Sequence, residues 1–185
     1  MIFACIGNCQ TSAISKYIRD LPDNHESFWL CYSELWKKKP WPKDARVFGE
    51  EQIKFHVFED DKIQEVINTC DVMIYQPSFE VLHFINKYNP VNKIHVTLSP
   101  IFVDDIEYMK RKEEKYKTSI RVSEIIEDHR DLELFIKQAD HPTSIVYLEI
   151  TRKICEILGL NFFNEQEYQV LNRTQYPKYM WKKNE

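Results

Sequence analysis

The stretch Ile2-Phe3-Ala4-Cys5-Ile6-Gly7-Asn8-Cys9-Gln10 constrains the fold more than any other part of the chain. Five apolar residues stop abruptly at Gly7-Asn8-Cys9-Gln10. Thr11 to Leu21 then carries apolar side chains at Ala13, Ile14, Tyr17, Ile18 and Leu21. The first run reads as a buried strand. The second has the spacing of one helical face, which Thr11 or Ser12 could cap and Pro22 ends. A buried strand feeding a tight turn at a helix start belongs to an open α/β sheet, where ligands bind beyond the carboxyl ends of the strands. A thiol at Cys9 would lie in the positive field of that helix start, which favours thiolate over thiol.

The next hundred residues repeat the alternation. Phe28 to Tyr32 reads as a second strand, and Ile53 to Phe58 as a short strand or extended edge. A helix follows from Asp60 or Asp61 through Thr69, then a buried strand Asp71-Val-Met-Ile-Tyr75 ending in Gln76-Pro77. Glu80 to Tyr88 is helical, and Lys93 to Thr97 is another short strand, ending in Leu98-Ser99-Pro100. The rest reads as helices: Asp104 to Tyr116, Val122 to Ile126, Leu132 to Ile136, and Thr143 to Leu158 with Gly159 as its C-cap. The expected fold is therefore α/β: three layers around a short, mainly parallel sheet, with a helix-rich C-terminal half. Residues 1–164 form one domain, and residues 165–185 a polar, aromatic tail. In a doubly wound sheet the motifs at Gly7–Gln10, Gln76 and Ser99 collect along one edge.

Composition bears on partners and compartment. With 185 residues, 43% apolar and 14% aromatic, the chain can bury a core without metals or disulfides. The 25 basic and 29 acidic residues give a net charge of −4, which does not suggest a nucleic-acid binder. No apolar segment approaches the roughly 20 residues of a membrane span. The five cysteines lack Cys-x-x-Cys spacing, and Met1 runs straight into the first strand, so a reducing, cytoplasmic setting is expected. Cys5 and Cys155 read as packing residues. No metal site is expected, and the oligomeric state is left open.

Cys9 would need a base, and His141 stands out among the six histidines. Asp140-His141-Pro142-Thr143 sits just before the strongest helix, with Asp140 or Thr143 available as a cap and Pro142 suited to the first turn. A Cys9–His141 pair would be an activated nucleophile of the acyl-transfer type, with the backbone amides after Cys9 and the amides of Asn8 or Gln76 as oxyanion donors. The same residues also fit plainer roles. A cysteine in a strand-to-helix turn can be a small packing residue, Asp-His-Pro a helix start, and the Gln76 amide a partner for loop carbonyls. The basic loop Trp36 to Pro42 fits either a phosphate grip or a solvated surface.

A strand followed by Gly7-Asn8-Cys9-Gln10, a later strand ending in Gln76, and His141-Pro142-Thr143 opening a late helix together resemble the WcbI family. That family comprises polysaccharide-biosynthesis proteins regarded as coenzyme A-binding acetyltransferases. The layout is also similar to the SGNH hydrolases, and the expected sheet is flavodoxin- or SGNH-like. In the SGNH pattern the nucleophile turn falls on Gly7-Asn8-Cys9, the late His-Pro on His141-Pro142 and the oxyanion amide on Gln76. This chain departs from that pattern with Cys9 for serine, Asn8 for aspartate, and Gln138 where the triad acid should stand. The resemblance implies an acyltransferase moving an acetyl group from acetyl-CoA to a sugar or polysaccharide hydroxyl. Cys9 and His141 would be catalytic, and Gly7, Asn8, Gln10, Gln76, Ser99 and Thr143 would hold coenzyme and acceptor. Lys37, Lys38 and Lys39 would meet the coenzyme phosphates. A thiol esterase or deacetylase, and a non-catalytic ligand-binding protein, are the alternatives.

Overall fold

The computed structural model describes residues 1–31, 60–88, 92–99, 101, 105–131, 135–136 and 141–173. The expected strand at Ile53 to Phe58 and the loop at Trp36 to Pro42 lie outside these, as do Gln138 and Asp140. Four parallel strands form the central sheet: β1 (Ile2–Gly7), β2 (Glu26–Cys31), β3 (Val72–Tyr75) and β4 (Ile94–Thr97), in the order β2-β1-β3-β4. All but one of the β1 residues are buried, as a strand covered on both faces must be.

Alternation along the strands divides the core in two. Phe3, Cys5, Val72, Ile74 and Val96 face one layer, formed by α1 (Cys9–Arg19), α4 (Ile106–Tyr116), α5 (Val122–Asp128) and α6 (Ser144–Leu158). Ala4, Ile6, Leu30, Met73 and Tyr75 face the other, formed by α2 (Asp60–Thr69) and α3 (Phe79–Tyr88). The architecture is thus the three-layer α/β arrangement expected from the alternating elements. A large aliphatic side chain moved from water into such a core stabilises the fold by about 1.5–3 kcal/mol. Among the described residues, no helix is long and apolar enough to cross a membrane, and no cluster of three or more His, Cys, Asp or Glu could hold a metal ion.

Two local expectations are corrected. The first helix starts at Cys9, and its N-cap is Asn8, whose Oδ1 accepts from the Gln10 amide at 3.0 Å, rather than Thr11 or Ser12. Phe135–Ile136 is not helical but a two-residue strand, β5, paired antiparallel with β6 (His141–Pro142). The C-terminal half otherwise follows expectation, with Gly159 in the left-handed conformation at φ 65° closing α6. Residues beyond Asn164 begin with a helix, α7 (Glu165–Arg173), held to α6 by the Tyr168 hydroxyl donating to Glu149 at 2.8 Å.

Candidate functional site

The sheet order sets the position of the site. From β1 the chain passes through α1 on one face to β2, and β3 then joins the opposite side of β1 with α2 packed on the other face. The direction of winding therefore reverses between β1 and β3, and in open sheets of this kind ligands bind at the carboxyl ends of the strands at such a switch point. Gly7-Asn8-Cys9-Gln10 leaves β1 there, and Gln76 follows β3. Ser99 lies two residues past β4, one strand further along the same edge.

Two of these side chains meet, and the backbone of a third joins them. The Gln76 amide nitrogen donates to Gln10 Oε1 at 2.9 Å and makes a longer contact of 3.5 Å to the Ser99 carbonyl. The Gln10 amide nitrogen in turn donates to the Ile101 carbonyl at 3.2 Å. Backbone carbonyls only accept, so they fix which way round both amides lie. Gln10 and Gln76 are 8% and 7% exposed, so this chain of bonds ties three strand ends together away from bulk water. Both Gln76 N–H bonds are used within it, and the group left for a ligand is its carbonyl oxygen. Ser99 is fully buried, and its hydroxyl has no partner among the described residues. Leaving such a group unsatisfied costs about 1–3 kcal/mol, which calls for a functional reason.

The turn before α1 is held as closely. Gly7 has φ +152°, and a Cβ there would stand 2.8 Å from Thr11 Cγ2, so glycine is needed for both conformation and space. The Asn8 carbonyl accepts from the Thr11 hydroxyl at 2.7 Å, the Thr11 amide at 3.1 Å and the Ser12 amide at 3.4 Å. These donors lie down the helix. Since the Asn8–Cys9 peptide is trans, its N–H points the opposite way, out of the helix towards the edge. The amides after Cys9 are therefore engaged inside the turn, and the donors left for an oxyanion are the Cys9 N–H and the NH2 group of Asn8. Neither α1 nor α6 has an acidic residue in its first turn to offset the positive end of the helix.

For Cys9 and His141 the backbone defines the placement. Cys9 is the first residue of α1, and His141 lies in β6, three residues before α6. Tyr17 of α1 stacks on Tyr147 of α6, with ring centroids 6.4 Å apart. Beyond the far ends of the two helices, the Asn161 side-chain amide donates to Asp23 at 3.2 Å. The helices thus run in the same direction with their starts staggered, since Tyr17 lies in the second half of α1 and Tyr147 in the first turn of α6. Thr143 is the N-cap residue of α6, though its side chain makes no capping bond. Cys5 and Cys155 are packing residues inside the core. Burial pushes the Cys5 thiol up from 9.0 to about 12 and the Cys155 thiol up to about 11.

Sequence reasoning did not single out Trp29. Its indole N–H, on β2, donates to the Gly7 carbonyl at 3.2 Å and to the Thr11 hydroxyl at 3.1 Å. A tryptophan in an apolar strand reads as core, and nothing local shows which strand it will lie beside.

No family model matches the chain, and no curated protein matches it. Among solved structures it is similar to WcbI, described as a novel polysaccharide biosynthesis enzyme, in a native form without a disulfide bond between coenzyme A and a cysteine. The two share 14% sequence identity with a TM-score of 0.51, over 90% of this chain and 71% of WcbI. At that identity the likeness is one of fold, and it agrees with the three-layer α/β arrangement.

Proposed function

We propose that this chain is an acyltransferase that moves an acetyl group from acetyl-CoA to a hydroxyl of a sugar or polysaccharide. The observation that carries this reading is the buried, uncharged hydrogen-bond chain of Gln10, Gln76 and Ser99 at the switch point, beside the start of α1. The side chains that the strand ends contribute, Asn8, Gln10, Gln76 and Ser99, are amides and a hydroxyl. They suit neutral groups such as the amides of a pantetheine arm and a thioester carbonyl. The unpartnered Ser99 hydroxyl and the Gln76 carbonyl oxygen match an amide N–H of such an arm, so the residues present fit the coenzyme. The fold shared with WcbI, whose structure is described by reference to coenzyme A, supports the same choice.

Bound acetyl-CoA would supply an activated acyl group. The Cys9 N–H and the Asn8 amide would donate to the carbonyl oxygen as negative charge grows there. One such donor is typically worth about 2.7–4 kcal/mol in the transition state. His141 would take a proton, from the Cys9 thiol or directly from the acceptor hydroxyl, and return it to the leaving thiolate. Thr143 would border the acceptor. Lys37, Lys38 and Lys39, outside the described residues, would meet the coenzyme phosphates, and the reaction would run in a cytoplasmic, reducing setting.

The test is acetyl transfer from acetyl-CoA to a panel of mono- and oligosaccharides, followed by free-thiol release. Wild type should acetylate at least one acceptor. His141→Ala should lower the rate by about 10²-fold or more, and Cys9→Ala should lower it comparably if the thiol is the nucleophile. Unchanged transfer in both variants contradicts the chemistry. Release of free thiol without any acylated sugar identifies a hydrolase instead.

A further inference from the structure

We infer that Trp29 and Thr11 act as one positioning unit that sets the direction of the Cys9 amide and the reactivity of its thiol. The inference rests on the reading of Cys9 as a group of the site. Trp29 lies on the neighbouring strand, with its Cα in register with Cys5, and is almost fully buried. Its single N–H is shared between the Gly7 carbonyl and the Thr11 hydroxyl, and the Thr11 hydroxyl in turn donates a hydrogen bond to the Asn8 carbonyl. The two peptide planes that lead into Cys9 are therefore both held, one by the indole directly and one through Thr11. A hydroxyl is suited to this middle position because it accepts and donates at once.

The hydrophobic core does not require this arrangement, since a phenylalanine would fill much the same space without the N–H. The bonds instead add to the restraint on a turn whose first residue already needs a positive φ and whose Asn8 carbonyl is also held by the Thr11 and Ser12 amides. Rotation of the Asn8–Cys9 plane would swing the Cys9 N–H away from the edge. It would also loosen the first turn of α1, whose field favours the thiolate. Trp29 touches no reacting atom in this scheme, and its effect travels through the turn.

The experiment is the pH dependence of Cys9 alkylation by iodoacetamide, read on the Cys9 peptide by mass spectrometry in the full chain. Hydrogen exchange over residues 7–12 is measured in parallel. In Trp29→Phe and Thr11→Val the alkylation profile should move up by about one pH unit towards the ordinary thiol value near 8.5, with about tenfold less thiolate at pH 7. Exchange over residues 7–12 should quicken while the second half of α1 keeps its protection. Thr11→Ser keeps the hydroxyl and should retain the wild-type profile, and the double variant should lose no more than either single one. Circular dichroism identifies which variants are folded. Folded Trp29→Phe with wild-type alkylation and wild-type exchange overturns the inference. A wild-type Cys9 that titrates at the ordinary value refutes instead the reading of Cys9 as an activated thiol. In that case the exchange data alone decide on the positioning unit.

Discussion

The two ends of the central sheet are built from different chemistry. At the amino end, polar contacts are charged groups set against backbone. Asp71 Oδ2 accepts from the Ile2 amide at 2.8 Å, and the Lys93 ammonium donates to the Asn68 carbonyl at 2.8 Å and to the Cys70 carbonyl, closing the C-terminus of α2. Each such bond joins neighbouring elements, although the His25 ring, buried just before β2, has an Nε2 with no partner among the described residues. At the carboxyl end two uncharged side-chain amides are linked in series to backbone carbonyls, with a Ser99 hydroxyl and a Gln76 carbonyl oxygen still unused. The first pattern satisfies a helix end. The second keeps hydrogen-bonding capacity in reserve inside a rigid frame, which is what a binding crevice in this kind of sheet requires.

The largest expected effect separates the sheet interior from the edge. Cys5 and Cys155 are held neutral by burial, with folded values of about 12 and about 11. An unfolded chain loses these protons near the ordinary thiol value, so their contribution to stability is intact below that pH. It falls as pH rises through the window up to the folded values. Each thiol lowers the unfolding free energy by about 1.4 kcal/mol per pH unit in that window. Urea unfolding at pH 8 and pH 10.5 should show a smaller decline for Cys5→Ala than for wild type, whereas Cys9→Ala should not reduce the decline. Equal declines in wild type and Cys5→Ala would remove the distinction between interior and edge thiols.

Paired substitutions at the two ends give smaller effects. Gln76→Leu removes the donor to the buried Gln10 Oε1 and should cost about 1–3 kcal/mol in urea unfolding. It should also weaken acetyl-CoA binding. Lys93→Met removes a cation from the carbonyl end of α2, at a partly exposed position, and should cost about 0.5–1 kcal/mol. Coenzyme binding should be untouched. Loss of binding in Lys93→Met, or full binding in Gln76→Leu, would mean that the two ends do not divide the work in this way.

The carboxyl edge was legible in the sequence where its signals are local. An apolar run ending at Gly7 marks a strand and a turn within nine residues, and the Ala13-Ile14-Tyr17-Ile18 spacing gives α1 its buried face. The placement of Gly7–Gln10, Gln76 and Ser99 on one edge followed from the alternation of strands and helices alone. The bond between Gln10 and Gln76 did not, because it joins residues 66 apart through a strand register that no local pattern encodes. The cap of α1 was assigned to Thr11 or Ser12 instead of Asn8 for a related reason. An Asn followed two residues later by Gln looks alike as a ligand pair or as a helix cap, and Thr11 and Ser12 were competing cap types. The β5 strand was hidden because two residues cannot establish a period, and Phe135–Ile136 is extended through its pairing with His141–Pro142.

The most direct measurement is a thermal-shift titration of the full chain with acetyl-CoA, run beside Gln76→Leu. If the carboxyl edge is a coenzyme cradle, wild type should gain about 2.7 kcal/mol of stability at 100 times the dissociation constant, and the variant should need a higher concentration for the same shift. No shift in wild type at millimolar acetyl-CoA, or the same shift at the same concentrations in Gln76→Leu, would contradict it.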